Sequence, residues 1–313
     1  MSGGRFRFCG RYRVQSRLEE GPALLEGRWA NGAAGLGADD VNAALRGAAL
    51  WAGTAEVDLR AAEVSRRVGV FAEAADALYY RELFRPAGGS EPMRTDVLDV
   101  PKLREHWRRR RPDAARVLGA AALARLEELV GDVGRTGTNE YLCHEAGHAL
   151  GHDVRSKYAA GYFRLGGKTA WPLVFVEEHR ADLHALGFAL DLLPRREALA
   201  VFAYHVVHRL GLAAFSTRTG GEGSGAVPYL LFGVLLDEGW LRADAGVPAE
   251  SLAERALLDV MRHCADHAAE ALTAPELAAP GLEDVALRAS AYYRERALDV
   301  ARGRLYEAWL SAR

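Results

Sequence analysis

Apolar positions change their period several times along this chain. In the first thirty residues Phe6, Phe8, Tyr12 and Val14 alternate with arginines, and Leu24, Leu25 and Trp29 continue the pattern. Period two predicts a small antiparallel sheet or hairpin there. Asp39 suits an N-cap, and Val41, Leu45 and Trp51 then follow at helical spacing. Val57, Ala61, Val64, Val68 and Phe71 carry the helical reading across residues 56–84. Residues 86–100, with two prolines and paired glycines, read as a loop. Pro112 reads as the opening of a helix whose buried stripe is Val117, Leu118, Leu123, Leu126, Leu129 and Val130.

Beyond Gly131 the pattern changes. Residues 134–139, Gly-Arg-Thr-Gly-Thr-Asn, read as a loop or short strand feeding a helix from near Glu140. The apolar run 171–176 precedes a helix over about 177–193, which Pro194 stops. Further helices are expected over about 197–215 and 227–237, separated by a glycine-rich loop at 220–225, with two or three amphipathic helices after residue 249. The expected fold class is mainly α (α+β). The expected organisation is an N-terminal β-hairpin and helical region (1–135), a central core (136–245) and C-terminal helices (246–313), alternatively one compact unit.

Composition narrows the classes. The chain has 313 residues, half of them hydrophobic, with 40 Lys+Arg against 42 Asp+Glu and a net charge of −2. That balance argues against a general nucleic-acid binder. The longest uncharged stretch, residues 223–236, contains Pro228 and is too short to span a membrane. The first residues, MSGGRFRFCGRYRV, lack the apolar run of a signal peptide. Three distant cysteines, Cys9, Cys143 and Cys264, exclude a disulfide framework. A soluble cytoplasmic protein is expected, with neither nucleic acid nor membrane as partner; its oligomeric state is open.

The chemistry lies in Cys143-His144-Glu145-Ala146-Gly147-His148. On a helix, His144 and His148 project from one face a turn apart, a spacing suited to two nitrogen ligands of zinc. Glu145 follows the first ligand, so its carboxylate can reach a metal-bound water and act as general base, then general acid. Chance would produce this H-E-x-x-H pattern about 0.03 times in such a chain.

Three sources of a third ligand compete. A metzincin pattern would put it at Val154, whose aliphatic side chain offers no donor atom. His152 lies a further turn along the same helix, which strains the geometry. The third source is the downstream segment Val176-Glu177-Glu178-His179-Arg180-Ala181-Asp182. There Glu178 would bind metal while Asp182, one turn on, accepts the hydrogen bond of a ligating histidine. Glu177 as ligand would leave Ala181 in Asp182's role, so Glu178 is preferred.

H-E-x-x-H followed by E-x-x-x-D resembles the gluzincin arrangement of thermolysin-like zinc metallopeptidases. The segment Glu177-Glu178-His179-Arg180-Ala181-Asp182 is similar to the E-E-C-R-A-E motif of the dipeptidyl peptidase III family. The likeness continues more weakly into residues 209–212 and 233–237 and spans roughly residues 138–240. That family's first motif is one residue longer. The resemblance implies a zincin-like helical catalytic core, Glu178 as the third zinc ligand and Asp182 as the group that orients a ligand histidine. Ser224 stands where the family carries its transition-state histidine.

An oxyanion donor is still required, and Tyr204, His205 and His208, downstream of the acidic segment, are the candidates. Arg108 to Arg111 read as a solvated helix end, and His263, Cys264 and His267 as packing residues. The expected function is zinc-dependent hydrolysis of a peptide or amide bond, with one Zn2+ per chain and a peptide or amide-containing small molecule as substrate. The alternative is a metal-dependent tailoring enzyme of small-molecule biosynthesis, a non-haem iron oxygenase using the same two histidines and glutamate. A non-catalytic metal site is the third class.

Overall fold

A computed structural model describes residues 4–14, 19–30, 35–51, 53, 56–73, 77–151, 163–165, 167–219, 227–242, 246–279 and 281–298. The protein is mainly helical, with a small mixed sheet at the N-terminal end. Among the described residues no helix is long and apolar enough to cross a membrane.

The hairpin forms as the alternation predicts. Strands β1 (Arg5–Val14) and β2 (Glu19–Trp29) pair antiparallel, Phe8 opposite Leu25. The sheet continues through β3 (Leu59–Gly69), β4 (Leu78–Tyr79), β5 (Phe84–Arg85) and β6 (Asp96–Asp99), in the order β4-β6-β3-β2-β1-β5. The pair β3–β6 is parallel and the other pairs are antiparallel. Phe6, Phe8, Tyr12, Phe71, Tyr79 and Phe84 fill a satellite core beside the sheet.

Residues 59–69 are therefore strand, not helix, and residues 96–99 are strand, not loop. In β3 the side chains of Leu59, Ala62 and Val64 are buried while several intervening ones face solvent. Pairing with β2 on one side and β6 on the other decides the conformation against the local helical spacing.

Helix α1 spans Ala38–Gly47, with Gly37 rather than Asp39 as its N-cap, and α2 is a single turn, Val70–Glu73. Helix α3 (Val100–Leu118) holds Pro112 in its interior instead of starting there. Asp99 caps it, accepting a hydrogen bond from the Lys102 amide. Pro112 and Arg108 are both exposed, so the break that proline makes in the helix's hydrogen-bond ladder falls on the solvent face. Helices α4 (Ala120–Val130) and α5 (Val133–His148) follow.

The glycine-rich segment 134–139 is the first half of α5. Asp132 caps it, accepting from the Gly134 and Arg135 amides at 2.8 and 3.3 Å. The Thr138 hydroxyl donates to the Gly134 carbonyl, and that of Thr136 to the Val130 carbonyl. Helix α6 (Trp171–Leu192) starts six residues before the expected Glu177, with Pro172 in its first turn. It is followed by α7 (Arg195–Thr219), α8 (Val227–Asp237), α9 (Glu254–His267), α10 (Ala274–Ala278) and α11 (Leu282–Tyr293). Helices α3 to α9 share one continuous hydrophobic core.

Candidate metal centre

The site arises where α5 and α6 cross. Gly147 lies between the two histidines and Ala181 between Glu178 and Asp182. A Cβ on Gly147 would stand 2.5 Å from the Ala181 carbonyl oxygen and 2.8 Å from its Cα. The absence of a side chain at Gly147 lets the two motifs face one another at backbone contact.

His144, His148 and Glu178 form a group able to hold a metal ion. The two Nε2 atoms lie 3.1 Å apart. Nε2 of His144 is 3.6 Å from Glu178 Oε2, and that of His148 is 3.8 Å from Glu178 Oε1. Ligands at 2.0–2.1 Å from a tetrahedral ion would stand roughly 3.4 Å apart, and the two Nε2 atoms and the Glu178 carboxylate stand near that spacing, each imidazole nearer a different carboxylate oxygen. His144 is buried, whereas His148 and Glu178 are partly exposed. The open side is thus the Glu178 side.

Each histidine has a carboxylate at its other nitrogen. Nδ1 of His144 is 2.8 Å from Asp182 Oδ1, and Nδ1 of His148 is 3.1 Å from Glu177 Oε1. The His148–Glu177 contact is a hydrogen bond that favours the Nδ1–H tautomer of His148, and Asp182 stands at pairing distance from Nδ1 of His144. Glu177 is therefore the neighbour of one histidine's far nitrogen, a role that spacing alone does not reveal.

The two supporting carboxylates are anchored from behind. Arg180 donates to Glu177 from Nε at 3.1 Å and from Nη2 at 2.6 and 2.7 Å. It also donates to the Leu150 carbonyl at 2.5 Å and pairs with Glu276 at 3.3 Å. Arg209 pairs with Asp182. Burial acts to raise the Asp182 carboxyl, but Arg209, His205 and His144 outweigh it and hold the group far below the usual carboxylate range. Burial likewise opposes ionisation of Glu178, yet His144 and His148 bring it below its ordinary value.

Glu145 is on α5 beside His144 and is partly buried. Burial pushes its carboxyl upward, against the attraction of His148 and His144. A carboxylate that binds protons more tightly than usual is suited to proton transfer.

Tyr204, His205 and His208 are buried on α7, His205 lying beside Asp182. His205 is fully buried, and its Nδ1 is 2.9 Å from Glu140 Oε1. The Tyr204 ring stacks on Trp107, and its hydroxyl abuts Gly137, where an added Cβ would meet it at 3.0 Å. His208 stacks on Tyr204 and contacts Arg110. Burial and the Arg110 charge hold the His208 imidazole far below its ordinary pKa. Arg110 is thus part-buried against α7 rather than a member of a fully solvated run.

His179, beside the ligand position, is buried 3.3 Å from the Tyr292 hydroxyl, which is 2.8 Å from His267. Burial pushes His179 down to about 3. His263 is exposed and pairs with Glu238, and Cys264 is buried. Cys143 is buried, which drives its thiol pKa up. His152, Val154 and Ser224 lie outside the described residues.

No family model matches the chain, and no curated protein matches it in sequence. Among solved structures, DPP III from Caldithrix abyssi shares the fold, with a TM-score of 0.65 at 15% sequence identity. The match covers 97% of this chain, so the structural likeness reaches well beyond residues 138–240. It covers 58% of the Caldithrix chain.

Proposed function

We propose that the chain is a zinc-dependent hydrolase that cleaves a peptide or amide bond. The observation that carries this reading is the convergence of two Nε2 atoms and one carboxylate at 3.1, 3.6 and 3.8 Å, with a carboxylate behind each imidazole. The fold shared with DPP III supports it.

In this reading His144, His148 and Glu178 hold one zinc ion. Bound there, zinc would supply Lewis acidity, lowering the pKa of water and polarising a carbonyl. Glu145 accepts the proton of the attacking water and passes it to the departing amine; its raised affinity for protons serves both transfers. Asp182 and Glu177 keep the two imidazoles in the tautomer that leaves Nε2 free. Tyr204, His205 and His208, all buried on α7, remain the candidates for an oxyanion donor.

The test is elemental analysis of the purified protein and its Glu178→Ala variant, followed by peptide and amide turnover assays of wild type and Glu145→Gln. About one zinc per chain, lost in Glu178→Ala, with turnover abolished but metal retained in Glu145→Gln, is the expected result. Iron in place of zinc, with activity dependent on oxygen and a reductant, would replace hydrolysis with oxygenase chemistry.

A further inference from the structure

A second cluster of ionisable groups lies behind the first. Glu140 on α5, Asp182 on α6 and His205 on α7 are all buried, with their donor atoms mutually within 4.8 Å. Asp182 Oδ2 and His205 Nε2 are both buried and face each other at 3.9 Å, without a hydrogen bond to any described residue. The group has the composition of a cation site. Arg209, however, already places a guanidinium on Asp182, and Glu140 and Glu178 add to its stabilisation. A fixed cation at that carboxylate disfavours a second ion beside it.

We propose that Glu140 and His205 are positioning residues, the outer tier of a buried chain Glu140–His205–Asp182–His144 that holds Asp182 in the rotamer serving His144. This inference rests on the metal reading above. Asp182 has one oxygen on His144 and Arg209 and the other toward His205. His205 makes no hydrogen bond to Asp182 and restrains it by filling the buried space beside Oδ2; removing the ring opens that space, so the carboxylate can rotate about its Cβ–Cγ bond away from Nδ1 of His144. Glu140 fixes His205 in turn: its Oε1, 2.9 Å from Nδ1, sets the ring plane and keeps Nε2 aimed at Asp182. The packing of these groups brings three helices to bear on one imidazole, the kind of outer support that orients a ligand.

The experiment is cobalt(II) and zinc binding by the full chain and by Glu140→Gln and His205→Gln. It reads the visible spectrum of the cobalt form and the zinc dissociation constant by chelator competition, with helical circular dichroism and melting of the metal-free forms as control. The expected result is zinc binding weakened roughly ten-fold or more in both variants, with an altered cobalt spectrum and metal-free melting close to wild type. Wild-type affinity and an unchanged spectrum in both variants would overturn the proposal. So would loss of the metal-free fold in Glu140→Gln, because the pair would then belong to the core alone. If the wild-type chain itself binds neither ion, the metal reading fails, and this inference with it.

Discussion

Gly147 and Ala181 touch backbone to backbone, the Gly147 Cβ position lying 2.5 Å from the Ala181 carbonyl oxygen. The helix carrying His144 and His148 and the helix carrying Glu178 and Asp182 owe their separation to this contact. Gly147→Ala should therefore force the helices apart, costing roughly 2 kcal/mol as overpacking does, and weaken metal binding in the same step. The atoms met are the oxygen and Cα of Ala181, so Ala181→Gly should not rescue the variant. Urea midpoints and metal content of the single and double variants test this; full recovery in the double variant would place the contact in the Ala181 side chain.

Arg180 is almost wholly enclosed beside the site, with side-chain exposure of only 2%. It faces Glu177 and Glu276, which are buried as well. Arg180→Met should leave both carboxylates in low dielectric without their guanidinium and cost about 3–5 kcal/mol. Adding Glu276→Gln should return part of that loss, because one of the stranded charges disappears. Chemical denaturation of the single and double variants checks both statements; a loss below about 1 kcal/mol in Arg180→Met would mean that Glu177 and Glu276 are held by other partners.

The candidate ligands and the carboxylate beside them are legible in the sequence because their spacing is local: His144 and His148 share a helical face, as do Glu178 and Asp182. The supporting groups are not. Arg209 reaches Asp182 from α7 across 27 positions, Glu140 reaches His205 across 65, and Glu276 reaches Arg180 across 96. No periodicity carries such pairs. Glu177 escapes notice because helical spacing singles out the residue four after a ligand, whereas its partner is a histidine on the other helix. Local pattern misleads where tertiary pairing or capping overrides it. Residues 59–69 become strand through β2 and β6, and residues 134–139 become helix once Asp132 and two threonines satisfy the backbone of a glycine-rich turn.

Metal removal should register in stability. With two Nε2 atoms 3.1 Å apart beside the Glu178 carboxylate, the folded chain presents a formed site, whereas the unfolded chain does not. Zinc at a hundred-fold excess over its dissociation constant should add about 2.7 kcal/mol, seen as a higher melting temperature that a chelator reverses. The same titration of His148→Ala should show little or no increase. An equal increase in that variant would assign the stabilising ion to a different set of side chains.

The sheet contributes a pH dependence of its own. Asp96 in β6 accepts a hydrogen bond from the Arg81 amide at 2.7 Å, yet its carboxyl is pushed up to about 7. Burial is the main cause, and the charges of Glu82 and Glu145 add to it. The folded chain thus holds this proton more tightly than the unfolded chain, whose aspartate titrates near 3.9. The resulting stability is complete at and below about pH 4 and is lost as the pH rises toward 7. Asp96→Asn keeps the acceptor for Arg81 and removes the charge, so it should flatten that slope. It should exceed wild type at pH 8 by on the order of 2–4 kcal/mol, since each tenfold change in proton affinity is worth about 1.4 kcal/mol, and match it near pH 4. Urea midpoints at pH 4, 6 and 8 decide the matter. A variant destabilised by the same amount at every pH would show that the Arg81 hydrogen bond needs a carboxylate and that the proton on Asp96 plays no part.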